Sequence, residues 1–183
     1  LPVLSCVFVQ FKKGQLTLRA TNLELGFQAV MAAKTEGEGE FTVPAGAFNA
    51  TIANMQGEKS VVLYYDGQVL TITTAKSKSV IKCLPHEDFP TIPELPKEQY
   101  YEMPVLDFIS GLKAVWYSSS ISSIKPELSS VCVYPEENEI VFVATDSFRL
   151  AEKKIKTKNI KEFEKILIPF KNAAEIIRVL EKL

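Results

Sequence analysis

The chain has 183 residues, 46% of them hydrophobic and 23% charged, and a net charge of −1. That composition excludes a disordered chain, and the near-neutral balance excludes wholesale electrostatic capture of nucleic acid, leaving room only for a local basic patch. Cys6, Cys83 and Cys132 form no CxxC pair and read as buried free thiols of a reducing compartment. No apolar run reaches the roughly 18 residues that a membrane helix needs, and no signal peptide is visible. The chain starts without Met, in a strand-like run, and so reads as a fragment.

In chain order, Val3 to Phe11 and Gln15 to Thr21 alternate at period two around a Lys12-Lys13-Gly14 turn, which predicts a hairpin. Leu25 to Ala33 is a further strand, and Phe41-Thr42-Val43 a short one. Pro44 then stands where a helix can begin, and Phe48, Ile52 and Met55 predict an amphipathic helix from about Ala45 to Met55. Val61 to Tyr65 and Val69 to Thr73 flank Asp66-Gly67, a second hairpin, and Val80 to Leu84 closes this half. Pro85 to Pro96 holds four prolines and reads as a stiff, extended linker.

Beyond the linker, Pro104 to Tyr117 carries Val105, Phe108, Ile109, Leu112, Val115 and Trp116 on one stripe, an amphipathic helix. Ser118 to Ser123 is a polar loop. Leu128 to Tyr134 and Glu139 to Ala144 predict a hairpin across Pro135 to Asn138. Phe148 to Lys156 is a third strand, and Ile166 to Ile168 a short one. Pro169 precedes a last helix, from about Phe170 to the chain end, with Ala173, Ile177 and Leu180 on one face.

The two halves repeat. Pro2, Leu4, Ser5, Val7, Val9, Ala20 and Thr21 recur 124 residues later as Pro126, Leu128, Ser129, Val131, Val133, Ala144 and Thr145. Asn22 matches Asp146, a polar exchange that suits a turn. With one inserted residue, Pro44 matches Pro169, and Phe48, Ile52 and Met55 match Ala173, Ile177 and Leu180. The fold class is α+β: repeated domains, each with antiparallel sheets on one side and two amphipathic helices on the other, about one and a half of them present.

Leu1-Pro2-Val3-Leu4-Ser5, Ala20-Thr21-Asn22-Leu23-Glu24, Phe41-Thr42-Val43-Pro44, Leu84-Pro85-His86-Glu87-Asp88-Phe89-Pro90 and Ala144-Thr145-Asp146-Ser147-Phe148-Arg149-Leu150-Ala151 follow in this order. Together they resemble the bacterial sliding clamps, the beta subunits of DNA polymerase III. The resemblance implies three domains per subunit, and a head-to-tail homodimer closed as a ring around double-stranded DNA. Residues 1–98 would be domain one without its first strand and helix, and residues 99–183 domain two, truncated after its second helix. Domain three would be absent. It implies a cytoplasmic, non-catalytic tether without cofactor, metal or membrane. Its partners would be DNA held without sequence preference, the polymerase III catalytic subunit, the clamp loader and repair polymerases.

The resemblance further assigns a partner-peptide pocket to Leu128, Thr145, Ser147, Phe148, Arg149 and Leu150. The residues alone read differently, with Leu128 and Leu150 as core and Arg149 as surface. Ser147-Phe148 stand where the commoner family sequence has Gly-His, which bears on pocket depth and peptide preference. Lys125, Lys171, Arg178 and Lys182 would face DNA. The stripe Lys171, Glu175, Arg178, Lys182 fits equally a solvated helix face with a Glu175–Arg178 pair. The matching helix of the first half has no basic residue, and Lys76 and Lys78 fit a solvated strand edge. Ser79, Val80 and Ile81 would form the edge that pairs with the other subunit. His86-Glu87-Asp88 is the one cluster with catalytic residue types, and it has no second His for a metal. Two other readings compete: a protein-interaction scaffold of duplicated α+β units without a DNA role, and a small-molecule enzyme on the same duplicated unit.

Overall fold

The computed structural model describes residues 2–93, 101–157 and 163–182. By contacts the chain divides into two units, Leu1–Glu94 and Leu95–Leu183. The expected boundary between residues 98 and 99 lies outside the described residues, as does Pro96 of the expected linker.

In unit one, strands β1 (Cys6–Lys12), β2 (Gln15–Thr21), β3 (Gly26–Ala32) and β4 (Gly39–Pro44) form an antiparallel sheet in the order β3-β2-β1-β4. Helix α1 (Ala45–Ala53) comes directly after β4. Strands β5 (Val62–Tyr65), β6 (Val69–Thr73) and β7 (Lys78–Lys82) form a second antiparallel sheet in chain order. The two sheets share a core. Val9, Phe41, Val43 and Met55 meet Leu70, Ile72 and Ile81, and Phe41 stacks on Tyr65 at 4.5 Å.

In unit two, helix α2 (Val105–Val115) runs into a 3₁₀ turn, Trp116–Ser118. Strands β8 (Ser130–Glu136), β9 (Glu139–Thr145), β10 (Leu150–Lys156) and β11 (Ile166–Pro169) form a sheet in the order β10-β9-β8-β11, and helix α3 (Phe170–Leu180) closes the unit. Ile109, Leu112 and Val115 of α2 and Ala173 and Ile177 of α3 pack on Val131, Val133, Ile140, Phe142 and Ala144. Gly111 makes the close approach of α2 possible, because a Cβ there would lie 2.5 Å from the Phe142 ring.

Each helix among the described residues starts behind a proline, Pro44, Pro104 or Pro169, with φ between −53° and −56° and an extended ψ. The ring fixes φ near its helical value, and its missing N–H is one that a helix start leaves unpaired anyway. Pro44 and Pro169 are also the last residues of β4 and β11, so strand passes to helix with no loop.

The duplication is visible residue by residue. Both four-stranded sheets have the same order. Lys13 and Glu137 share a positive φ (47° and 54°), as do Leu23 and Ser147 (78° and 79°), each pair 124 residues apart. The cover on the sheets differs. In unit two α2 lies over β10, packing on Ala151, Ile155 and Ile177. Their counterparts in unit one, Phe27, Met31 and Ile52, are exposed.

Several expected bounds are corrected. Pro2–Ser5 is a 3₁₀ turn rather than strand, held by the Ser5 hydroxyl donating to the Pro2 carbonyl at 2.7 Å. Leu128 sits in the turn before β8, where the amides of Leu128 and Ser129 both donate to the Lys125 carbonyl at 3.0 Å. Pro135 belongs to β8, leaving only Glu137-Asn138 as the turn. The β11 ladder stops at Val133, so no partner there requires an N–H from Pro135. Phe148 and Arg149 precede β10 rather than opening it. Strand β7 ends at Lys82, and Leu84 instead makes an isolated bridge to Thr42. Helix α1 stops at Ala53, so Met55 is buried beyond its end, and Ile52 faces solvent. Ser118 and Ser119, expected in a polar loop, are buried. Helix α3 ends at Leu180, which leaves Lys182 in the turn after it. Within the stretch expected as a linker, His86, Phe89 and Ile92 contact the first sheet.

Candidate functional site

The corner between β9 and β10 is built by two side chains. The Thr145 hydroxyl donates to the Arg149 carbonyl (2.7 Å) and accepts the Ser147 amide (3.2 Å). One Asp146 carboxylate oxygen accepts the amides of Phe148 and Arg149, both at 3.0 Å, and the Asp146 amide donates to the Arg149 carbonyl at 3.4 Å. The other Asp146 oxygen holds Arg149 Nε at 3.0 Å. The Phe148 amide first, then the Arg149 amide and guanidinium, hold the Asp146 carboxyl below the usual carboxylate range.

This turn leaves few degrees of freedom and presents Phe148, Arg149 and Leu150 outward. Phe148 is 98% exposed and Leu150 66% exposed. The Arg149 side chain is also largely open, though its charge is matched by Asp146. Ser147, at φ 79°, occupies backbone space that favours glycine. Leu128 is half-buried, and its carbonyl accepts the Ser120 amide at 2.8 Å. The antiparallel register Cys132↔Val143 puts the start of β8 and the end of β9 at one end of the sheet. Leu128 and the corner therefore share that end. Leu150 is not core, and Leu128 is only partly so.

The basic residues are more scattered. Lys125 is exposed in the turn before β8, beside the nearly bare Ile121 and Ile124. Lys171 and Arg178 are exposed on α3, but Arg178 donates through Nε (2.9 Å) and Nη2 (2.6 Å) to one Glu175 oxygen. The helix therefore carries the local pair that any solvated face could carry, and Lys182 lies past its end. The neighbouring charge Glu181 is held by Lys113 of α2 at 2.5 Å. Strand β7 pairs with β6 on one side only; Val80 faces solvent, Ser79 is half-buried and Ile81 is core. Lys78 and Lys82 bracket this edge with charge, a device that limits indiscriminate strand pairing.

His86 lies 4.0 Å from Glu40 and edge-on to Phe8 at 6.4 Å, in contact with a sheet rather than in a cleft. Among the described residues no group of three His, Cys, Asp or Glu side chains is placed to hold a metal ion. No helix among them is long and apolar enough to cross a membrane.

One feature was not expected from the sequence. Unit two has an apolar cleft of about 390 Å³, lined by Val133, Ile140, Ile166, Ile168 and Leu180 together with residues around Met103 and Phe163. The first five are the repeat counterparts of Val9, Leu16, Phe41, Val43 and Met55. In unit one those residues pack with the β5-β6-β7 sheet. The repeat offset was therefore the signal that could have located the cleft.

Two family models match the chain: "DNA polymerase III beta subunit, N-terminal domain" over residues 1–93, and "DNA polymerase III beta subunit, central domain" over residues 102–183. The Beta sliding clamp of Synechococcus elongatus is 27% identical over 160 residues, 86% of this chain and 42% of its own length. That of Staphylococcus aureus is 25% identical over an alignment of 189 residues, 98% of this chain and 50% of its own. Among solved structures, the DNA polymerase III subunit beta of Pseudomonas aeruginosa is similar with a TM-score of 0.89 at 23% identity, over 98% of this chain and 50% of that one. The beta subunit of Thermotoga maritima gives 0.86 at 25% identity, over 100% and 49%. The chain thus spans about half the length of the relatives it matches.

Proposed function

The chain belongs to the DNA polymerase III beta subunit family, and on that premise we propose that the whole protein is a sliding clamp. It encircles duplex DNA as a homodimeric ring and tethers the replicative polymerase, without chemistry of its own. The observation that carries this reading is the match of the two units, in order, to two consecutive domains of the family. Encirclement makes release depend on ring opening, while weak phosphate contacts allow sliding. The longer protein should be retained on nicked circular DNA and slide off once that DNA is linearised. Retention on neither form would favour a scaffold without a DNA role.

The corner supports a peptide-docking surface made of Leu128, Thr145, Ser147, Phe148, Arg149 and Leu150. A preorganised turn that presents an aromatic ring, a leucine and a guanidinium loses little entropy when a peptide from the polymerase, the clamp loader or a repair polymerase lands on it. Arg149→Ala with Leu150→Ala in the longer protein should weaken a clamp-binding peptide at least about tenfold, measured by fluorescence anisotropy. Unchanged affinity removes the corner from the site.

Lys125, Lys171, Arg178 and Lys182 would supply the phosphate contacts. Arg178 is the weakest of them because Glu175 already neutralises it. Lys171→Ala with Lys125→Ala should flatten the salt dependence of DNA binding by the longer protein. The open edge of β7, at Ser79, Val80 and Ile81, would pair with a strand of the second subunit. Val80→Asp should lower the dimer fraction in sedimentation. A cytoplasmic location is in keeping with Cys6, Cys83 and Cys132, all of them free.

A further inference from the structure

Phe8 is buried, yet it is not part of the core of unit one. Strand alternation explains why. Val7, Val9 and Phe11 face the core, so Phe8 points to the other side of the sheet, in one cross-strand row with Thr42, Arg19 and Gln28. Its cover is the segment after β7. The Phe89 ring lies 5.3 Å from the Phe8 ring, and the His86 ring 6.4 Å from it. The Arg19 guanidinium also lies over Phe8, 5.5 Å from its centroid, and Arg19 Nε donates to Gln28.

The segment is attached firmly at its start and lightly after it. The Leu84 amide donates to the Thr42 carbonyl at 2.9 Å, and the Thr42 hydroxyl donates to the carbonyls of Leu84 (2.8 Å) and Pro85 (3.2 Å). Pro85, Pro90 and Pro93 have no N–H, so the segment is poorly equipped to extend the sheet as a strand. Its onward contacts are side-chain ones: Phe89 on Phe8, His86 beside Glu40 at 4.0 Å, and Ile92 over Gly26. Gly26 leaves room for this last contact, because a Cβ there would meet Ile92 at 3.2 Å. A single turn, from the Phe89 amide to the His86 carbonyl (3.0 Å), aims the Phe89 ring back at the sheet.

We propose that residues 84–92 form a strap which Phe89 latches onto the face of the first sheet opposite the core, and which opens as a unit while the sheet stays folded. The latch fixes where the chain leaves unit one: at the far side of that face, past Ile92, rather than at the end of β7. Such a segment belongs to the low-stability end of a domain, because its side chains are at most half-buried and its main chain is tied at one end.

Hydrogen exchange of the 183-residue chain, read by mass spectrometry over 84–92 and over β1 and β6, tests this. In Phe89→Ala the two hydrogen-bonded amides of the strap, at positions 84 and 89, should exchange about tenfold faster or more, as expected for loss of one aromatic contact with its burial. Those of β1 and β6 should be unchanged. Gly26→Ala, which crowds Ile92 alone, should speed exchange of the Phe89 amide by a smaller factor. Unchanged strap exchange in Phe89→Ala overturns the latch. A rise shared equally by β1 and β6, or a Phe89→Ala chain that does not fold, overturns the claim that the strap opens independently.

Discussion

The corner after β2 and the corner after β9 are the same turn built from different letters. Thr21 does what Thr145 does, donating to the Leu25 carbonyl (3.0 Å) and accepting the Leu23 amide (3.0 Å). Asn22 does what Asp146 does, accepting the amides of Glu24 (3.0 Å) and Leu25 (2.7 Å). The strands that leave these corners have opposite chemistry. Strand β3, Gly-Phe-Gln-Ala-Val-Met-Ala, carries no charge, although it is an edge strand with most of its residues exposed. Strand β10, Leu-Ala-Glu-Lys-Lys-Ile-Lys, is also an edge, and its charges protect it. The backbone geometry of a turn is thus set by two side chains, and everything beyond it is free to diverge.

The two units should part most strongly in the core. Phe142→Ala should cost about 3–5 kcal/mol, because the ring is fully buried. Its counterpart Leu18 is only half-buried, and Leu18→Ala should cost about 2 kcal/mol or less. Urea denaturation should show the first variant destabilising unit two selectively.

At the edges, Val30→Lys on β3 should raise the concentration at which the chain self-associates, and Lys154→Val on β10, which also removes the ion pair with Glu136, should lower it. Analytical ultracentrifugation reads both. The turn itself can be relaxed. Leu23→Gly and Ser147→Gly each remove an L-residue from left-handed backbone space, against a higher unfolded-state entropy. Each should stabilise by about 1 kcal/mol or less in thermal melts.

The smallest effect separates the corners by pH. Asp146 has a depressed pKa in the folded chain, so the tie it makes is present above the ordinary carboxylate range. It is lost as pH falls through the depressed value. Asn22 does not titrate. Amide chemical shifts of Phe148 and Arg149 should therefore move in acid while that of Leu25 stays put. Asp146→Asn should abolish the difference.

Much of the fold was readable in advance, for physical reasons. Period-two alternation and the Lys13-Gly14 and Asp66-Gly67 turns are local signals, and the strands they flank appeared within one residue of expectation, except that β1 starts three residues late, at Cys6. The Thr-Asn and Thr-Asp corners were readable because side chains that bond their own backbone need no distant partner. Non-local features escaped. Pro2–Ser5 has strand-like alternation but folds as a 3₁₀ turn once Ser5 bonds Pro2. The strap looked like a linker because its prolines are a local signal, whereas the Phe89–Phe8 contact joins distant parts of the sequence. The exposure of Phe148 depends on a side-chain position that periodicity does not specify, whereas the Glu175–Arg178 pair, three residues apart on one helix, was readable as one of two readings of that stripe.

The direct joints at Pro44 and Pro169 have a mechanical consequence. With no residue between β11 and α3, the helix is joined directly to the sheet edge and also packs on the sheet through Ala173 and Ile177. A push on α3, whether at Lys171 beside the joint or at Arg178 in its last turn, meets no loop that could take it up and passes to β11 and, through the β8 ladder, to the sheet. Load applied along α3 is therefore delivered to the same sheet whose opposite strands carry the Thr145–Arg149 corner.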